Sequence, residues 1–183
     1  MKLFYKRGLL KKYLLAFISI LLVSFFSLGL SLYFFIYDFG FKEKIALLKQ
    51  NANDISSIIT ESGLEKKDSG YEFKSDYLIQ GMIDTVSKNI NSDIFIVDLK
   101  EGNLLLSSNQ EIKNSGKRIP DNALDEIYNY KTYEKRTKLN GIYESEKYTF
   151  GMVFYDGENY EKSELRPIGA VFISTDISVI CSP

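Results

Sequence analysis

From Tyr13 to Tyr37 the chain carries no charged side chain, and Lys2, Lys6, Arg7, Lys11 and Lys12 precede this stretch with no acidic residue among them. A helix over it is roughly 37 Å long, enough to cross a hydrocarbon core of about 30 Å with some tilt. Lysine and arginine beside a span are held on the cytoplasmic side. The pattern predicts a basic cytoplasmic tail over 1–12 and a transmembrane helix over 13–37, with the main domain, 38–176, outside the cell. That is a single-pass protein of the cell membrane with its amino terminus in the cytoplasm.

A cleaved export signal starts with the same basic flank, but its apolar region spans about 7 to 15 residues and ends on small side chains. This stretch is longer and leaves through Tyr33, Phe34, Phe35, Ile36 and Tyr37. An uncleaved anchor is therefore expected, with Tyr13 at one interface and Tyr33 and Tyr37 at the other. Ser24, Ser27 and Ser31 share a helical face. They read either as a close-contact seam for a second helix or as hydroxyls bonded to a carbonyl one turn back.

Five of the 23 basic residues precede the stretch, leaving 18 against all 24 acidic ones, a formal charge of −6 beyond Tyr37. No positive field is left to bind phosphates, so no nucleic-acid partner is expected. The single cysteine, Cys181, excludes an internal disulfide and a thiolate metal cluster. Histidine is absent, which removes imidazole base chemistry, the common zinc ligand sets and the usual nucleophile triads. With no phosphate-binding glycine loop either, the expectation is no enzyme, no catalytic residue, no cofactor and no metal.

Beyond the anchor, Phe41, Ile45, Leu48, Ala52, Ile55 and Ile59 repeat at alternating spacings of four and three. This is a heptad seam on a helix. It is open to two readings, a partner helix in a homodimer or the domain's own sheet beneath an amphipathic helix. Gly63 suits a helix stop and Lys66 to Glu72 a loop. A second helix is expected from Ser75 to Ile90, with Leu78, Met82, Val86 and Ile90 on its apolar face.

The period then changes. Asp93 to Asp98 is a continuous apolar run between acids, and Leu104 to Ser108 returns after a turn at Lys100 to Asn103, as two antiparallel strands would. Asn109 to Arg118 is a polar connection, and Ile119-Pro120-Asp121 opens a short helix that buries Leu124 and Ile127. Tyr133 to Leu139, Tyr148 to Tyr155 and Ile168 to Ser174 read as three more strands, with Asn140-Gly141 as a turn and Asp156 to Arg166 as a charged loop. The fold class is α+β, a five-stranded antiparallel PAS-like sheet with a long amino-terminal helix.

These residues resemble a known family. The basic start and single span, Ser92-Asp93-Ile94-Phe95-Ile96-Val97-Asp98 with Gly102 and Leu104 to Ser108, Ile119-Pro120, Leu139-Asn140-Gly141-Ile142-Tyr143, and Ile168 to Asp176 are together similar to the sensor half of bacterial membrane-bound sensor histidine kinases with an extracytoplasmic PAS-like, Cache-type domain. In that family the last strand feeds a second span and then a kinase core. The resemblance makes 177–183 the start of such a span, or a truncated tail, with the catalytic parts missing.

The resemblance implies a ligand pocket between the sheet and the segment Ser107 to Tyr148. Arg118, Arg136, Tyr143, Lys147 and Tyr148 lie in that segment, and guanidinium with tyrosine hydroxyls suits a small polar or anionic ligand. The polar run Ser107, Ser108 and Asn109 belongs to it as well. The function so implied is signal sensing by the input module of a two-component kinase. The alternative is a membrane-anchored structural or assembly protein of the cell envelope, pilin-like or scaffold. Gly8 lacks the nearby acid that follows a pilin processing glycine.

The one-sided basic cluster carries a topological prediction. Protease added to intact spheroplasts digests the domain from Asp38 onward and spares an amino-terminal tag; cleavage of the tag with the domain protected would reverse the orientation.

Overall fold

No proline occurs before Pro120, so nothing interrupts the helical ladder from the basic start through the apolar stretch. In the computed structural model, which describes residues 2–67, 70–156 and 167–177, the first helix, α1, spans Lys2–Ile58. Met1–Lys42 forms one unit and Glu43–Ser182 a second. Within the first, α1 is long and apolar enough to cross a membrane, and its large apolar side chains from Leu10 to Phe39 stand exposed. Ser24 Oγ donates to the Ile20 carbonyl at 2.9 Å, so this hydroxyl is satisfied within its own helix.

The second unit begins with the remainder of α1, followed by a π-turn at Ile59–Gly63. Where the sequence suggested a loop, β1 (Leu64–Lys67) and β2 (Gly70–Phe73) form an antiparallel hairpin. Helix α2 (Asp76–Ile90) buries Ile79, Ile83 and Ile90. The predicted stripe is corrected by one position: Leu78 is 68% exposed. Successive steps of four drift by about 40° each, so Leu78, Met82, Val86 and Ile90 spread over about 120°, whereas Ile79, Ile83 and Ile90 stay within about 40°.

Next come β3 (Asp93–Asp98), β4 (Leu104–Ser107), α3 (Gln110–Asn114) and α4 (Asp121–Tyr130), then β5 (Thr132–Thr137), β6 (Lys147–Tyr155) and β7 (Pro167–Asp176). The expected polar connection after β4 thus contains a helical turn. Asn109 caps it by accepting from the Glu111 and Ile112 amides, and Ile112 is buried beneath it. Most of the predicted charged loop Asp156 to Arg166, and the tail expected to begin a second span, lie outside the described residues.

The five long-range strands form one antiparallel sheet in the order β4-β3-β7-β6-β5. The last strand in sequence is the middle one in space. Alternation sends Phe95, Val97, Val153, Ala170 and Phe172 to one face, where α3, α4 and the segment after β5 contribute Ile112, Ile119, Leu124, Ile127, Leu139 and Tyr143 to a single core. Phe172 is its centre: its ring stacks on Phe95 at 5.4 Å and meets Tyr133 edge-on at 5.8 Å. Gly151, opposite Phe172 on β6, leaves room for that ring, because a Cβ there would stand 2.8 Å from it.

The other face carries Ile94, Ile96, Phe150, Phe154, Val171 and Ile173, all buried. Helix α1 packs here. Its Leu48, Ala52 and Ile55, with Ile59 of the π-turn, are at most 2% exposed, Ser56 Oγ donates to the Val153 carbonyl at 2.7 Å, and the Tyr155 amide donates to Thr60 Oγ1 at 3.2 Å. Of the two readings of the six-residue seam, the domain's own sheet holds for four positions. Leu48, Ala52, Ile55 and Ile59 are buried within their own chain and have no surface left for a partner, because the second face of the sheet needs a cover and this stripe supplies it. Ile45 is half-buried, and Phe41 belongs to the first unit.

Removing one of these side chains should therefore weaken the fold of a single chain. Leu48→Ala is expected to lower unfolding stability by about 2–5 kcal/mol in urea titration of the detergent-solubilised chain, independently of protein concentration. A change that varied with concentration would return the seam to an interface.

Candidate functional site

Strand ends gather polar groups at one end of the sheet. β3 starts at Asp93, β6 starts at Lys147 and β7 finishes at Asp176, and the pairing sets Asp93 opposite Ser174, Thr149 opposite Ser174 and Lys147 opposite Asp176. All five share the face that bears Phe95 and Phe172. Lys147 Nζ is 2.8 Å from Asp93 Oδ2 and 3.8 Å from Asp176 Oδ2. Asp93 Oδ1 also accepts from Asn109 Nδ2 at 3.1 Å, and Ser107 Oγ donates to the Asn109 carbonyl at 3.0 Å. The Thr149 and Ser174 hydroxyls, both fully buried, bond each other at 2.8 Å.

Tyr143 closes this cluster from above the sheet. The turn that delivers it has three consecutive residues at positive φ, Leu139 at 44°, Asn140 at 53° and Gly141 at 84°. For leucine this conformation costs about 1–2 kcal/mol, offset here by the burial of its side chain and by its amide donating to Thr137 Oγ1 at 3.0 Å. The Tyr143 amide then donates to the Lys138 carbonyl at 3.1 Å, and Lys117 Nζ reaches the Gly141 carbonyl. The Tyr143 ring lies 4.6 Å from Lys147 Nζ.

The Tyr143 hydroxyl is buried and has no hydrogen-bond partner of acceptable geometry. Burial, more than the nearby Asp93 charge, pushes its pKa well above the ordinary tyrosine value, so it stays a protonated donor. Ser174 and Asp93 lie within hydrogen-bonding reach of it, the serine lowering its pKa and the aspartate raising it, but neither meets it in good geometry. An orphaned buried hydroxyl is disfavoured by about 1–3 kcal/mol, and one beside an ammonium and two carboxylates is a ready contact for a polar ligand atom.

The predicted ligand residues divide. Tyr143 and Lys147 meet in this cluster. Arg118 instead holds the β3–β4 turn, donating from Nε to the Glu101 carbonyl at 2.9 Å and from Nη2 to the same oxygen. Arg136 and Tyr148 are a register pair on the opposite, helix-covered face. There the Tyr148 hydroxyl donates to Glu134 Oε1 at 2.6 Å, and Glu134 Oε2 pairs with Lys49 of α1 at 2.6 Å. Desolvation opposes ionisation of Glu134, but the bonds from Lys49 and Tyr148 outweigh it and hold the carboxyl below its ordinary value. Asp93, Asp176, Thr149 and Ser174 were not singled out as site residues from sequence. Their signal was the polar residues ending two otherwise apolar strands.

No protein-family model and no curated protein sequence matches the chain. Among solved structures, it is similar to an extracellular ligand binding receptor from Desulfohalobium retbaense, with a TM-score of 0.55 and 9% identity over 80% of this chain and 26% of that one. It is also similar to the sensor domain of the V. cholerae histidine kinase DctB, with a TM-score of 0.43 and 16% identity over 76% of this chain and 53% of that one. The chain thus spans about a quarter and about half of those two structures. At such identities the likeness is one of fold, and the first structure carries it.

An unsatisfied hydroxyl has a measurable signature. Tyr143→Phe is expected to stabilise the ligand-free chain by about 1 kcal/mol, read as a higher urea midpoint with an unchanged slope. A lower midpoint would mean that the hydroxyl is bonded in the folded state.

Proposed function

We propose that this chain is the sensing input module of a membrane-bound receptor, its α+β domain lying outside the cell and binding a small polar or anionic molecule. The observation that carries the reading is the buried, unpartnered Tyr143 hydroxyl beside Lys147, on the sheet face covered by α3, α4 and the Lys138–Tyr143 turn. A single helix able to cross a membrane and a fold shared with an extracellular ligand binding receptor support it.

The strand order with helices between β4 and β5 supports a PAS-like, Cache-type sheet, and the family resemblance supports a two-component kinase as the output. The chain itself acts as a binding module and not as an enzyme. Homodimerisation belongs to the reading through the apolar first unit and Phe41, since the four buried positions of the seam are occupied.

The test is a thermal-shift screen of the detergent-solubilised chain against small carboxylates, amines and polyols. A ligand at 100 times its dissociation constant adds about 2.7 kcal/mol of stability. The expected hit loses that increment in Tyr143→Phe and keeps it in Arg118→Ala and Arg136→Ala. A hit insensitive to Tyr143→Phe, or a screen with no hit in any class, would sink the reading.

A further inference from the structure

Asp93 lies on β3 and Lys147 on β6, and β7 runs between those two strands. Their 2.8 Å ion pair therefore passes over the face of β7 at Ser174 to Asp176. The lysine also reaches Asp176 at 3.8 Å, on the residue that ends the strand. The side chains of Lys147 and Asp93 are 17% and 18% exposed, whereas that of Asp176 is 49% exposed. One ammonium thus ties three strand ends together, and the most solvated of its partners sits where β7 leaves the sheet.

The next residue of β6 acts on the other side. Alternation points Tyr148 through to the helix-covered face, where it holds Glu134, and Glu134 holds Lys49 of α1. Lys49 Nζ also stands 5.5 Å from the centroid of the Phe150 ring, two residues further along β6. Two adjacent residues of β6 thus connect the candidate site to the end of β7 on one face and to α1 on the other.

We propose that Lys147 is a ligand-displaced strap: an anionic group seated against Tyr143 takes over the Lys147 ammonium, frees the end of β7, and through Tyr148 loosens the grip of Glu134 on α1. The proposal rests on the sensing reading and adds its regulation. An anion fits better than a cation because it exchanges one carboxylate for another on the same ammonium. The released groups are also provided for: Asp93 keeps the amide of Asn109, and Asp176 is half solvated. A cation arriving at Asp93 would meet Lys147 already there, and would leave the strap in place. The Tyr143 hydroxyl, buried and without a well-placed partner, supplies the incoming anion with a second donor.

The experiment is hydrogen exchange read by mass spectrometry on the full chain in phospholipid nanodiscs. In Lys147→Met, amide exchange at Phe172 to Asp176 and in α1 around Lys49 is expected to rise about five-fold, the effect of losing one partly buried ion pair, while the rest of the sheet is unchanged. Lys135→Met, which removes the exposed pair with Glu126, should leave both segments as they were. Asp176→Asn is the milder variant should Lys147→Met fail to fold, and it should raise exchange at the β7 end. Sodium acetate, compared with sodium chloride at equal ionic strength, should reproduce the Lys147→Met pattern in the native chain and add nothing in the variant. Methylammonium chloride should do neither.

A uniform rise over the whole sheet, a rise confined to β3, or an acetate-like effect from methylammonium would overturn the strap. If Lys147→Met opens both segments but acetate leaves the native chain unaltered, displacement by an anion falls; the sensing reading stands if the thermal-shift screen gives a Tyr143-dependent hit and falls with it if no class gives one. If acetate binds with Tyr143 dependence and leaves both segments protected, the sensing reading stands and the strap falls.

Discussion

β7 is the member on which the other elements depend. It pairs with β3 on one side and β6 on the other, so without it the sheet separates into the hairpin β3–β4 and the pair β5–β6, neither with a complete face. Its alternating side chains supply both cores. Phe172 and Ala170 face the cover of short helices, and Val171 and Ile173 face the side on which α1 packs. Two-stranded pieces of this size are marginal in water, so the burial that stabilises the domain exists only once β7 is in place. The close approaches follow from this: Gly151 admits the Phe172 ring, and Gly169 lies so near the Phe154 ring that a Cβ there would stand 2.1 Å from it.

Much of this architecture was legible in the residue pattern, because apolar alternation and turn chemistry are local signals. The runs Asp93 to Asp98 and Ile168 to Ser174, with no polar side chain between their ends, announced buried strands. Leu124 and Ile127 were correctly placed beneath α4. The misreadings have a common cause, which is that a stripe on a helix does not say what covers it. The α1 heptad repeat looks the same whether it meets another chain or its own sheet, and on α2 two overlapping stripes competed until the sheet selected the isoleucines. The β1–β2 hairpin was hidden by its polar residues, and the α3 turn by its single buried Ile112.

The candidate site was half legible. Lys147 and Tyr143 were chosen for their chemistry and do meet, but Arg118 and Arg136 were chosen on the same ground and do not join them. Strand parity decides the case of Arg136: in β5 it follows Lys135 and precedes Thr137, both of which point to the site face, so it faces the helices instead. Arg118 is removed by something no local pattern reveals, the need of the Glu101 carbonyl for a donor at a tight turn. Asp93 and Asp176 were passed over because acids at strand ends usually mark nothing more than the edge of a core.

The central position of β7 also has a consequence for biosynthesis. Protein synthesis delivers about 5–20 residues per second, and the strand that completes the sheet is the last of the seven described strands to be made. Until it arrives, β3 and β6 each lack one of their two neighbours. Before then only the pairs β1–β2, β3–β4 and β5–β6 are open to the chain. Completion of the five-stranded sheet, and with it of both cores, is therefore a late step, and this follows from the order of the strands alone.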